Sequence, residues 1–451
     1  MTVFESTVDL PVPIGEAFAY HEREGALSRL IPPWESVVME SSDGSLTDGS
    51  RVVMKTVVGG IPLRWVAEHR GYDPPNQFED VALSGPFASF HHKHLFRSVT
   101  PVSSQLTDHI DYEVPLGPLG RTFGGSFVRG KLEAMFKYRH RVTHDDLATK
   151  ARYALSPMTI GITGASGLVG SELVPFLSLL GHSPKQAHRL GSGAQQTFAL
   201  GGDASWDDCD VVVHLAGKSI AQNRWTDKVK QSLRDSRVGP TRMLCETLAN
   251  QSNKPKVLLC ASAIGIYGNR GDESLTEQSM VEDDFLADIA KDWEDACEPA
   301  RQAGIRVVNL RFGIILSPKG GALAKMLAPT KFGAGGPLGS GKQWWSWVAI
   351  DDVLGAIYHA IANESVQGPV NLTAPNAVTQ GEFAETLGHV LNRPSLIPVP
   401  EFVLRLALGE MADALLLCSA QVQPMVLQKS DYPFRFTSLE VALRHLLGRW
   451  K

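Results

Sequence analysis

MTIGITGASGLVGSEL, residues 158–173, decides the fold. An apolar run, MTIGIT, passes without a break into Gly164, Ala165, Ser166, Gly167, Leu168, Val169 and Gly170, and from there into a segment of helical character. A buried strand, a glycine turn and a helix in that order make a mononucleotide-binding unit. Glycines allow the tight turn, let backbone N–H groups approach a pyrophosphate, and let the helix pack on the strand. All seven loop residues are therefore expected at a cofactor. The competing reading, a glycine turn with no ligand, does not need the turn to sit between strand and helix.

Downstream of this unit, VVVHLA, KVLLCAS and IRVVNLR alternate with helical patterns, the βαβ signature of a parallel sheet. Residues 158–451 are accordingly read as a doubly wound Rossmann α/β domain with a small C-terminal substrate lobe, its helices near 379–391 and 436–447. The nucleotide can be read about 20 residues past the loop, where an acid binds a ribose hydroxyl or a base binds a 2'-phosphate. No carboxylate lies between Glu172 and Asp203, whereas His188 and Arg189 fall near the end of the second strand. A guanidinium matches phosphate geometry, so NADP(H) is the expected cofactor.

Upstream the texture differs. Short alternating runs such as RVVMKTVVG and FHHKHLF, broken by SSDG, LTDG and DPPN, predict an antiparallel α+β domain over 1–145. The helical pattern GKLEAMFKYRHRV (130–142) closes it, and the polar stretch 146–157 reads as a linker. His92 and His94 share a strand face and Asp108 follows, but two histidines without a defined third ligand read as packing residues, so no metal is expected. Trp34 and Trp65 read as core or cavity wall.

With 451 residues, 43% hydrophobic and 20% charged, the chain can bury more than one core. A net charge of -5 without a basic block argues against nucleic acid and anionic membranes as partners. Five cysteines with no CxxC pair argue against a disulfide or zinc framework and for a cytoplasmic location. No membrane span is expected, because 402–418 carries Arg405, Glu410 and Asp413. A small-molecule substrate, a hydrophobic ligand in the N-terminal domain and a second copy in a homodimer are the expected partners.

Two resemblances sharpen this reading. LPVPIGEAFAYHEREGALSRLIPPW (10–34), GPFASFHHKHLF (85–96) and LTDHIDYEVPLGPLG (106–120) resemble the helix-grip, START-like family of polyketide-cyclase and lipid-transfer domains. That resemblance implies a curved sheet around a long helix and an apolar cavity. GKSIAQNRWTDKVKQSLRDSRVGPTRML (217–244), CASAIGIYGNRGDESLTEQS (260–279) and the long run from Leu310 to Ile357 resemble an atypical, epimerase-like subfamily of extended short-chain dehydrogenases/reductases. It covers about 158–448, and its fusion to a helix-grip domain is also recognisable within the group.

The second resemblance implies that Leu215, Ala216 and Gly217 line the adenosine ribose and that Ser262 and Tyr267 are the catalytic pair, with Ser262 also touching the cofactor. It also exposes departures. Arg237 replaces an asparagine and would place a cation over the cofactor. Phe285 and Ile289 stand where the superfamily's Tyr-x-x-x-Lys would fall. A tyrosine useful near pH 7 needs its pKa lowered by roughly three units, about 4 kcal/mol, and one cation near 4 Å supplies about that at an effective dielectric of 20. Lys218, Arg237 and the oxidised nicotinamide are the expected cations. Arg311 is read as a substrate anchor, and Lys342, Trp344 and Trp345 in FGAGGPLGSGKQWWSW (332–347) as substrate-binding, with an interdomain packing seam as the other reading. Asp351 and Asp352 read as structural. The leading function is an NADP(H)-dependent epimerase-like oxidoreductase. The others are a noncatalytic NADPH sensor, or a hydrophobic-ligand-binding or lyase activity in the N-terminal domain.

Overall fold

The computed structural model describes residues 1–58, 60–115, 117–192, 195–202, 204–221 and 224–450. The chain divides into two compact units. One comprises Met1–Leu155, Pro175–Gly181 and His445–Lys451, and the other Ser156–Val174 and His182–Arg444.

In the first unit seven antiparallel strands, β1 (Thr2–Leu10), β2 (Val37–Ser42), β3 (Arg51–Val58), β4 (Ile61–Asp73), β5 (Gln77–Ser84), β6 (Ser89–Thr100) and β7 (Ser103–Glu113), run in the order β1–β7–β6–β5–β4–β3–β2. Strict alternation of buried and half-buried residues along β7 gives the sheet one inward face. Helices α1 (Ile14–Glu22), α2 (Ala26–Leu30) and α3 (Gly117–Tyr153) complete the unit. This is the expected α+β helix-grip arrangement, and it encloses a cavity of about 1040 Å³ walled by Trp65, Phe87, Phe90, Met135 and Phe136.

The linker expected at 146–157 is shorter, because α3 continues to Tyr153. Leu147 is fully buried, and the Asp146 carboxylate accepts both arms of the buried Arg29 guanidinium at 3.0 Å and the Tyr20 hydroxyl at 3.1 Å. A polar-looking stretch is thus part of the core, where the Asp146 carboxylate offsets the desolvation of the Arg29 guanidinium.

The second unit contains β8 (Thr159–Thr163), β9 (Ser183–Leu190), β10 (Thr197–Leu200), β11 (Val211–His214) and β12 (Val257–Ala263), followed by the strands Arg306–Phe312 and Gly368–Leu372. Their order is β10–β9–β8–β11–β12, then Arg306–Phe312, then Gly368–Leu372. All pairings are parallel except β10 on β9, so the doubly wound sheet carries one antiparallel edge. Helices α4 (Gly170–Leu179), α5 (Asp227–Asp235), α6 (Val238–Ala249) and α7 (Phe285–Asp295) connect the strands. The expected C-terminal helices lie at Gln380–Leu391 and Leu439–Leu447. The five cysteines are unpaired and, among the described residues, no helix is long and apolar enough to cross a membrane.

Replacing Asp146 with Ala leaves Arg29 buried without its carboxylate. The expected loss is about 3–5 kcal/mol, read as a lower denaturation midpoint at unchanged slope in urea.

Candidate cofactor and active site

Register places the predicted residues on one edge of the parallel sheet. Thr163 at the end of β8 pairs with Ala187 of β9 and His214 of β11, so Gly164, His188, Arg189, Leu215, Ala216 and Gly217 all follow at the carboxyl ends. Cys260 of β12 pairs with His214, and Ser262 with Arg311. The chain leaves β8 toward β9 on one side and reaches β11 on the other. This is the switch point where open α/β sheets bind ligands.

Two glycines of the loop are required by close approach. Gly164 has φ +72°, and a Cβ there would lie 2.7 Å from the Leu215 carbonyl carbon. A Cβ on Gly170 would lie 2.3 Å from the Gly164 carbonyl oxygen. The start of α4 is thereby pressed onto the loop, with Ser166 and Gly167 left exposed beside the helix N-terminus. His188 and Arg189 are exposed two strands' width from the dry centre of the sheet, on the same edge. The donor set of turn, helix N-terminus and guanidinium fits a dinucleotide phosphate.

Behind the loop, His214 is buried between two hydroxyls, Thr163 Oγ1 at 2.6 Å and Thr241 Oγ1 at 2.8 Å. Thr241 Oγ1 also accepts the Trp293 indole N–H at 2.9 Å. Burial pushes the His214 pKa down to about 4.

The sequence-predicted cations fall elsewhere than expected. Lys218 is exposed and its ammonium donates to Ser232 Oγ. Arg237 is buried; its guanidinium donates to the Lys218 and Leu233 carbonyls at 2.6 and 3.0 Å and lies 5.0 Å from the Trp293 ring centroid. It therefore closes the Gly217–Lys218 turn from behind, and burial lowers its pKa to about 10.

Arg311 is the cation that meets Tyr267. Its Nη1 donates to the tyrosine oxygen at 2.8 Å, and the Tyr267 hydroxyl donates to Asn371 Oδ1 at 2.8 Å. Its other arm grips Glu294 through Nε at 2.8 Å and Nη2 at 2.9 Å. Glu294 Oε1 also accepts the Ser262 hydroxyl at 2.7 Å. Tyr267 is 0% exposed. Burial, the largest influence, raises its pKa, against the lowering by Arg311 and Asn371. Burial works against the charge on Arg311, but Glu294 and Tyr267 outweigh it and hold the pKa above its ordinary value.

These contacts change two assignments. Tyr267 keeps its proton and points into protein, so it does not reach a substrate at the sheet edge. Arg311 is buried and committed to Glu294, Tyr267 and the Glu277 carbonyl, so it acts as a structural cation and not as a substrate anchor. Glu294 itself was missed by sequence reasoning. Its signal was a carboxylate four residues after Ala290 on the buried face of α7, together with an arginine in the buried strand Arg306–Phe312.

The loop 332–347 behaves as a packing seam at its end. Trp345 is buried 5.3 Å from Phe383, and its indole donates to the Leu416 carbonyl at 3.3 Å, so its ring is core. Trp344 is half-buried with its N–H on Asp272 at 2.8 Å, and Lys342 is exposed. Asp352 is structural, accepting the Arg435 and Phe436 backbone N–H groups at 2.7 and 2.9 Å.

Fold and site define a dinucleotide-binding α/β protein of the extended short-chain dehydrogenase/reductase class. The NAD dependent epimerase/dehydratase family matches residues 160–372, the polyketide cyclase/dehydrase and lipid transport family residues 10–136, and a domain of unknown function residues 399–446. Epimerase family protein Mb2239 of Mycobacterium bovis is 38% identical over 296 residues, 64% of this chain and 98% of that relative. The chain belongs to the epimerase family, here joined to a START-like domain. Among solved structures, the nucleoside-diphosphate sugar epimerase from Corynebacterium glutamicum is similar at TM-score 0.79 and 32% identity, over 99% of this chain and 90% of that one. Human epimerase family protein SDR39U1 (isoform 2) with NADPH is similar at TM-score 0.59 and 29% identity, over 64% of this chain and 99% of that one.

The His214 site has a pH signature. The unfolded chain takes up the proton near pH 6.5 and the folded one only near 4, so this contribution to stability is complete above 6.5 and is lost as pH falls toward 4. Urea unfolding at a series of pH values should show this loss in the wild-type protein and a flatter profile in His214→Gln.

Proposed function

We propose that the second unit binds NADP(H) and acts as an epimerase-like oxidoreductase at the carboxyl edge of its parallel sheet. The observation that carries this reading is the pressing of α4 onto the Gly164–Gly170 turn, which sets the helix N-terminus and the exposed Ser166 and Gly167 at the switch point where a pyrophosphate would lie. The human relative whose structure includes NADPH supports the choice of nucleotide.

In this reading Gly164, Ala165, Ser166, Gly167, Leu168, Val169 and Gly170 hold the pyrophosphate. His188 and Arg189 face the 2'-phosphate, and Leu215, Ala216 and Gly217 lie along the adenosine ribose. When bound, the nicotinamide supplies or accepts hydride. The Ser262 hydroxyl donates to Glu294, itself fixed by Arg311, so its oxygen is turned to accept a hydrogen bond from a substrate hydroxyl. Tyr267 holds Arg311 in place. Lys342 and Trp344 are the remaining substrate contacts in the C-terminal lobe. The apolar cavity of the first unit supports binding of a hydrophobic ligand there.

Calorimetric titration with NADPH and NADH tests the assignment. NADPH should bind more tightly, and Arg189→Ala should weaken it by about 10–100-fold, the ~1.5–3 kcal/mol of a charge-assisted hydrogen bond, while leaving NADH unchanged. Equal binding of the two nucleotides, or no effect of the substitution, would overturn the NADP(H) reading.

A further inference from the structure

The inward face of the first unit's sheet carries a polar cluster that the cofactor reading leaves unused. Register builds it in two rows. His69 of β4, Asp80 of β5 and His92 of β6 are cross-strand neighbours, and beside them stand Phe78, His94 and Asp108 on β5, β6 and β7. His69, Asp80, His92 and His94 all line the apolar cavity.

One ligand atom each from Asp80, His92 and His94 lies within 4.8 Å of the other two. Asp80 Oδ2 is 3.2 Å from His94 Nε2 and 3.9 Å from His92 Nδ1. Ligands at roughly 2.0–2.2 Å from a common ion are themselves about 3–3.5 Å apart, so the two Asp80 separations lie within a few tenths of an ångström of that range, and the two imidazoles close on the ion by side-chain rotation.

The opposite nitrogens of the same two rings face a second carboxylate. Asp108 Oδ1 lies 2.8 Å from both His92 Nε2 and His94 Nδ1, and its Oδ2 lies 2.6 Å from His140 Nε2. The His92 contact is a hydrogen bond, and a carboxylate on the far nitrogen fixes the tautomer whose near nitrogen carries a lone pair, the usual outer support of a metal-binding histidine; at His94 the same carboxylate lies at ion-pair distance. Asp80 has its own support, with Oδ1 2.7 Å from His69 Nδ1. Phe78 stacks on the His94 ring at 4.1 Å and fixes its plane.

We propose that Asp80, His92 and His94 form a binding site for a divalent transition-metal ion of the zinc type, with its remaining coordination positions open to the apolar cavity. The ion replaces the proton that His94 shares with Asp80, and its charge offsets the two carboxylates Asp80 and Asp108. His92 and His94 were set aside in the sequence for want of a third ligand; the neighbouring strand supplies Asp80.

The full chain, stripped with chelator and dialysed, is titrated with Zn²⁺ by calorimetry and with Co²⁺ by visible absorption. Wild type should bind one ion saturably, with ligand-field bands for Co²⁺ and a Zn²⁺-dependent rise in melting temperature. Asp80→Asn and His94→Gln should abolish the bands, and Asp108→Asn should weaken binding by about 10–100-fold. His91→Gln, on the opposite face of β6 and paired with Glu79, should bind as wild type does. Far-UV circular dichroism checks that each variant is folded. Absence of saturable binding by the wild-type chain overturns the proposal whatever the variants do. So does wild-type affinity and absorption in folded Asp80→Asn or His94→Gln.

Discussion

Arg311 stands on an interior strand with its guanidinium out of water, and the desolvation cost of such a group is best offset by a carboxylate beside it. Glu294 meets that need from α7 by a two-armed contact. Most of the site follows from this pair. The free lone pairs of Glu294 fix the Ser262 hydroxyl, and the third arm of Arg311 fixes the Tyr267 oxygen. Tyr267 in turn donates to Asn371, whose backbone N–H is held by Glu277. The serine and tyrosine expected as a catalytic pair are thus two ends of one ion-pair network, and both are buried.

The same constraint explains why the absent Tyr-x-x-x-Lys pair leaves no hole in the fold. A lysine on α7 would bring a second cation toward Arg311, where Glu294 already sits. The position where that lysine would fall is Ile289, buried in an apolar cluster with Trp225, Leu233 and Met411, and Arg311 meets the Tyr267 oxygen instead. Because Glu294 neutralises Arg311, the net field at Tyr267 does little to draw out its proton, and burial decides the direction of its pKa.

What could be read from the sequence was what depends on near neighbours. The strand, turn and helix at 158–173 are contiguous, and the spacing of Gly164 and Gly170 is fixed by their contact. The place of Arg189 near the carboxyl end of β9 was legible because strand lengths fix its distance from the loop. What failed depended on partners distant in the chain. Asp146 looked like linker because Arg29 lies 117 residues away. Arg311 looked like a substrate anchor because its carboxylate sits on another element, and Arg237 looked like a cofactor contact because the carbonyls it serves belong to a turn whose path no local pattern gives.

The cluster around Asp80 and Asp108 is the sharpest case, for strand alternation predicts that its residues face inward but not what they meet. That depends on register, which places Asp80 against His92 and His94 against Asp108. Two carboxylates and several imidazoles on an inward face carry a desolvation cost that apolar side chains of the same volume would avoid. Phe78, Phe90, Phe96 and Ile110, buried on the same strands, show that the sheet accommodates such side chains. Stability alone gives no reason for the polar set. Its position does: the histidines and Asp80 border open volume instead of filling it, and Asp108 grips the histidines from the side away from Asp80. An arrangement that orients lone pairs toward a cavity, and secures them from behind, is suited to holding something that enters from that cavity.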